Sequence, residues 1–233
     1  DFEDAVAIFS KTVRLGAMAG ADLVFIETMG DSYETKAALL AAKENCDLPV
    51  FVSNAYGADG RLLNGATPEV MVALAEGLGA DAIGANCSLG PKQLRGIVGE
   101  ILAAASVPVV LKPNAGLPHV QDGKTVYDVE PEEFAAEVAQ LMEKGVRVAG
   151  GCCGTTPDHI RAISAALEGI SPRPLPSIKT ALSMDKMSRL TVSGLEAVTL
   201  DVEHSNFTNV GERTNVAGSR KFARLISEGK YVE

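Results

Sequence analysis

At 233 residues, 46% of them hydrophobic and 22% charged, the chain can bury one large α/β core, or one core and part of a second, and is too rich in apolar residues to be disordered. A net charge of −9, with no long run of Lys or Arg, excludes a nucleic-acid surface built on a basic stripe. No apolar run reaches the ~18 residues of a membrane span, and four cysteines are too few for a disulfide scaffold, so a cytoplasmic protein with reduced thiols is expected.

The opening "DFEDAVAIFSKTV" has no initiator Met and no signal-peptide pattern, and reads like the middle of a helix; a piece of a longer polypeptide is expected. Five short apolar runs follow: "DLVFIET" (22–28), "LPVFVSNAY" (48–56), "ADAIGANCS" (80–88), "VPVVLKPNA" (107–115) and "GVRVAGGCC" (145–153). They are apolar on both alternate faces, as strands of a buried parallel sheet are.

A helix signal follows each run. Thr67-Pro68-Glu69 and Thr156-Pro157-Asp158 each place a capping hydroxyl, a proline at the first helical position and an acid in the first turn. In "PEEFAAEVAQLMEKG", Phe134, Val138, Leu141 and Met142 fall at helical spacing, and Gly145 is a plausible stop.

Five consecutive βα units imply a parallel α/β architecture, either a doubly wound sheet or part of a (β/α)8 barrel. A complete barrel needs eight strands and ~250 residues, so five units after an abrupt start fit its C-terminal five. The pattern stops near Gly169. The segment 170–187, opening with the proline-bearing "ISPRPLPSIKT", reads as a linker. From 188 a new rhythm begins: "SRLTVSGLEAVTL" suggests two strands about Ser193-Gly194. A strand, a polar loop and a helix running off the end are expected after it. Residues 1–169 and 188–233 are therefore read as two domains, the second being the start of another barrel.

The chemistry concentrates in the cysteines. Cys87 ends the third strand, and the adjacent Cys152 and Cys153 end the fifth, between glycines. In a barrel the carboxyl ends of strands share the rim on which active sites are built. Three thiolates there suit one Zn2+, and three protein ligands leave a position open, as in catalytic rather than structural zinc sites. Gly150 and Gly151 are expected to leave room beside the ion. The helix starting near Pro157 is expected to lower the thiol pKa values. The plainer alternative, a small core residue, suits Cys46 well and the 152/153 pair poorly, and leaves Cys87 open.

Other strand-end residues are candidates too. Glu27, beside Thr28, can hold an ammonium or serve as an ordinary loop acid. Asn114 can orient a substrate, approach a metal or simply form a turn. His119 in a loop, His159 in a first helical turn and His204 lack metal-ligand spacing and read as solvated.

The segments "GANCSLGP", "KPNAGLP" and "GGCCGTTPDHI", in that order, resemble the homocysteine-binding module of the cobalamin-dependent methionine synthases. "NVGERTNVAGSRKFARLI" is similar to the start of that family's folate-binding module. The double-cysteine segment alone points only to the wider zinc-dependent homocysteine methyltransferases, including betaine- and S-methylmethionine-using enzymes that end after one barrel. "GERTN" singles out the methionine synthases.

The resemblance implies that Cys87, Cys152 and Cys153 are the zinc ligands and catalytic centre. It places Glu27 beside the homocysteine amino group, with Asn86 and Asn114 bordering the substrate and Asn114 able to approach the metal. It sets Glu212, Arg213, Asn215 and Ser219 near the pterin. The implied activity is methyl transfer from methylcobalamin to a homocysteine thiolate, with 5-methyltetrahydrofolate resupplying the methyl group and a cobalamin-binding module of the same polypeptide as partner. The family's first-strand Asp-Gly-rich loop, its cobalamin module and most of its folate barrel lie outside this stretch, so the fragment alone is expected to be inactive. Two other readings stand beside it: a stand-alone homocysteine methyltransferase, and a non-catalytic zinc-binding domain.

Overall fold

The computed structural model describes residues 1–171, 174, 189–205, 208 and 219–230. Helix α1 (Phe2–Met18) is followed by β1 (Val24–Met29), α2 (Ser32–Asn45), β2 (Val50–Asn54), α3 (Pro68–Gly77), β3 (Ala82–Asn86), α4 (Pro91–Ala104) and β4 (Val109–Lys112). Then come a small antiparallel hairpin, β5 (His119–Gln121) and β6 (Lys124–Val126), and α5 (Pro131–Glu143), β7 (Val148–Ala149) and α6 (Pro157–Ala166). Strands β1, β2, β3, β4 and β7 lie side by side in that order, all parallel. Each expected βα unit is present, and among the described residues the sheet does not close on itself.

The alternation of the strands explains the two faces. Ile26, Val50, Val52, Ile83, Ala85, Val109 and Leu111 point toward the helices and form the main core with Leu39, Val70, Leu94, Ile101 and Leu141. The register Phe25↔Phe51, Ser53↔Gly84 and Asn86↔Lys112 sets the other set of side chains on the opposite face. That face is apolar at its base, where the Phe25 and Phe51 rings meet edge to face at 6.0 Å, and polar toward the strand ends.

Helix starts follow the capping chemistry. The Thr67 hydroxyl accepts the Val70 N–H, and α3 begins at Pro68. Phe134, Val138 and Leu141 of α5 are buried as their spacing requires. The Asp1 carboxylate accepts the Asp4 N–H in the first turn of α1. Three expectations are corrected. His119 lies in the β5–β6 hairpin, whose turn is Asp122-Gly123, and not in a loop. His159 is buried, with Nδ1 beside the Thr156 hydroxyl and Nε2 2.9 Å from the Val129 carbonyl. The last helix, α7 (Arg220–Ser227), stops at Ser227 ahead of Gly229.

Beyond α6, β8 (Arg189–Ser193) and β9 (Ala197–Asp201) form the expected hairpin, and Ala197 packs on the main core. The described residues there hold this hairpin and α7, with no second barrel among them. The linker read at 170–187 lies outside the described residues apart from Ile170, Ser171 and Pro174.

Candidate metal centre

The carboxyl ends of β3, β4 and β7 are stitched together past the last ladder pairs. Cys87 N–H donates to the Lys112 carbonyl at 3.0 Å, and Asn114 N–H to Leu89 at 3.0 Å. On the other side Gly150 N–H donates to Leu111 and Cys152 N–H to Pro113, at 3.0 and 2.8 Å. The segment after β4 is thus held between the two cysteine loops. Asn114, buried, adds its side-chain oxygen, which accepts the Cys153 N–H at 3.0 Å.

This stitching brings the three sulfurs together. Cys87 Sγ is 3.7 Å from Cys153 Sγ, Cys152 Sγ is 4.0 Å from Cys153 Sγ, and all three lie within 4.8 Å of one another. Tetrahedral ligands at 2.3 Å from one zinc ion stand ~3.8 Å apart, so the spacing fits a shared Zn2+. All four cysteines are free thiols, and Cys46 stands apart, capping α2 with its sulfur on the Ala42 carbonyl.

Burial, then the hydrogen bond and charge of Cys87 and the charge of Cys153, push the Cys152 thiol up to about 11. The direction is opposite to the lowering expected from the helix at Pro157: lost water and two neighbouring sulfurs raise it. Three sulfurs this close share negative charge poorly among themselves, and a soft-ligand divalent cation is the counter-charge the donor set suits.

The model of the family described as homocysteine S-methyltransferase matches residues 1–167. The chain belongs to the homocysteine S-methyltransferase family. Among solved structures it is similar to the homocysteine methyltransferase MmuM from Escherichia coli. The apo form aligns with a TM-score of 0.60 at 25% identity, over 71% of this chain and 57% of that one. The metallated form aligns at 0.57 and 25%, over 69% and 51%. The carboxyl transferase domain of Rhizobium etli pyruvate carboxylase, at 0.50 and 18% identity over 71% of this chain and 28% of that one, shares the fold alone. The chain therefore spans little more than half the length of MmuM.

Within the matched region the remaining candidates separate. Glu27 is partly exposed and ion-paired with Lys112, whose ammonium also sits 4.7 Å over the Phe25 ring. Asn86 is fully buried and binds Thr28, Ser53 and the Cys152 sulfur. Gly150 and Gly151 make room for Lys112 and Thr155 side chains rather than for an ion. Glu212, Arg213 and Asn215 lie outside the described residues. Ser219 caps α7, its hydroxyl accepting the Phe222 N–H at 3.2 Å.

The sequence reading missed Tyr127, which follows the β5–β6 hairpin. Its phenol is pushed up by burial and by a hydrogen bond to Cys153. A Cβ at Gly154, whose φ is +79°, would meet the Tyr127 ring at 2.4 Å, so only glycine lets the ring cover this turn. The Asp122-Gly123 pair was the available signal that a hairpin would fold Tyr127 back onto the site.

Proposed function

We propose that this chain binds homocysteine at a Zn2+ held by Cys87, Cys152 and Cys153 and presents its sulfur for methyl transfer. The reading places methylcobalamin as donor, methionine as product and 5-methyltetrahydrofolate as the source that resupplies the methyl group. The observation that supports it most directly is the sulfur triangle, three cysteines from two strand ends at the spacing one tetrahedral ion requires. When bound, Zn2+ supplies deprotonation of a substrate thiol in a fourth coordination position.

The chain's own groups do the rest. Asn114 fixes the Cys153 backbone, and the stitching of Cys87 and Cys152 to the β4 extension sets the direction of their sulfurs. Glu27 already holds an ammonium, that of Lys112, and the same carboxylate is suited to the amino group of homocysteine. The Tyr127 ring lies over Gly154, next to Cys153. Glu212, Arg213, Asn215 and Ser219 are proposed to meet the pterin, the cobalamin module of the same polypeptide to visit the cluster, and the cytoplasm to keep the thiols reduced.

X-ray absorption on the zinc-loaded chain tests this. Three sulfur neighbours are expected without homocysteine and four with it. A chain that takes up no zinc, or a sulfur count that homocysteine leaves unchanged, overturns the reading.

A second reading keeps the site and changes the donor. It makes the chain part of a stand-alone homocysteine methyltransferase that uses a donor such as S-methylmethionine or betaine, and the family match over residues 1–167 is consistent with it. Binding of methyltetrahydrofolate to the polypeptide that contains residues 188–233 decides between the two.

A further inference from the structure

Asn86, the last residue of β3, is 0% exposed, and its amide orientation is fixed by chemistry. The Thr28 backbone N–H can only donate, and it lies 2.9 Å from Asn86 Oδ1. A flipped amide would set N–H against N–H. The Ser53 hydroxyl donates to the same oxygen at 2.6 Å. Nδ2 must then face the other way, where it finds the Thr28 hydroxyl at 2.6 Å and Cys152 Sγ at 3.9 Å. Every bond the side chain can make is committed, and none is left for a substrate.

A second observation agrees. Thr28 is β-branched yet has φ +63°, a left-handed conformation that such residues rarely adopt. The register of β1 against β2 breaks between Ile26 and Met29 to allow it. That backbone is what turns the Thr28 N–H and hydroxyl together onto Asn86. Strain of this kind persists where surrounding structure over-determines it.

We propose that Asn86 is a positioning residue: it aims an obligate N–H donor at Cys152, so that this sulfur meets the cation as a fixed, charge-damped acceptor. Donors of this second layer commonly set ligand orientation and metal affinity. The inference rests on the zinc reading above and reassigns Asn86 from substrate contact to ligand support.

The test uses the full chain with Asn86→Asp, which has nearly the same shape. The carboxylate still accepts from Thr28 N–H and Ser53, and the Thr28 hydroxyl can turn to donate, so the N–H facing the sulfur is exchanged for an acceptor oxygen that also carries negative charge. With Co2+ as the probe, affinity measured against a competing chelator should fall roughly 10- to 100-fold. The sulfur-to-cobalt charge-transfer band should move to lower energy. Ser53→Ala loosens the same amide without touching the sulfur; it should lower the melting temperature and leave the band in place.

Unchanged affinity and band in Asn86→Asp overturn the proposal, as does an equal band shift in both variants, which marks a merely structural residue. Should Asn86→Asp not fold, the wild-type chain loaded with 113Cd decides: a proton–cadmium correlation from the Asn86 side-chain amide supports the bond, and its absence overturns it. A wild-type chain that binds no metal overturns this proposal together with the zinc reading. Metal held by three sulfurs with no effect of Asn86→Asp overturns this proposal alone.

Discussion

The two ends of the parallel sheet solve the same problem with different residues. Where strands begin, the left-handed turn into β3 falls on a glycine, Gly79, with φ +81°. Loop N–H groups there are collected by carboxylates: Asp81 accepts from Val50 at 2.8 Å and pairs with Lys43 at 2.9 Å, and Glu76 accepts from Ser106 at 2.6 Å. Where strands finish, left-handed backbone falls on Gly116 and Gly154 but also on the non-glycine residues Thr28, Cys87 and Ser88. There the acceptors beside the sulfurs are the neutral amides of Asn86 and Asn114. One end uses residues that adopt their conformations freely and charges that water can reach. The other holds strained non-glycine residues and sets neutral amides beside the three sulfurs, a combination that often accompanies sites.

Substitutions at the two ends sharpen this contrast. Cys152→Ala should lower metal retention by roughly three orders of magnitude or more, measured against a chelator, because a three-ligand site loses a third of its donors. Retention like that of the wild type would erase the distinction. Gly79→Ala should leave metal binding intact but cost about 1–2 kcal/mol of stability, the penalty of a left-handed non-glycine residue, read as a drop in melting temperature.

Asp81→Asn should cost ~0.5–1 kcal/mol, since the pair is half exposed. Burial raises the Asp81 pKa, but the Val50 N–H and Lys43 outweigh it and leave the carboxyl below its ordinary 3.8. Its contribution is therefore present above that value and fades as the pH falls through the lowered one, so wild type and variant should converge in acid melts. Smallest of all, Ser88→Gly at the strained end should raise stability by ~0.5 kcal/mol without altering metal affinity.

The sheet was legible because period and punctuation agree: runs apolar on both faces, then Thr-Pro-acid starts, leave little but parallel βα units. Cys87, Cys152 and Cys153 were legible because the ends of parallel strands meet at one rim whatever the strand number. What was not legible depends on register and side-chain direction. The partners of Asn86 come from β1, β2 and the loop after β7, brought together by an irregularity at Thr28 that composition does not announce. The Cys152 pKa followed sulfur-to-sulfur distances and burial, which no spacing rule contains. Lys112 was read only as part of a strand, although its register with Asn86 puts it within reach of Glu27.

The sulfur triangle has a mechanical side as well. Cys87 and Cys153 are 66 positions apart, with all of β4, its hairpin and α5 between them. An ion gripped by both ties off that whole span as a clasp, and a chain-entropy argument for a loop of this size gives ~4 kcal/mol in favour of the folded form. On the zinc reading, metal content and durability rise and fall together, so the chain stripped of the ion should melt at a lower temperature than the loaded one.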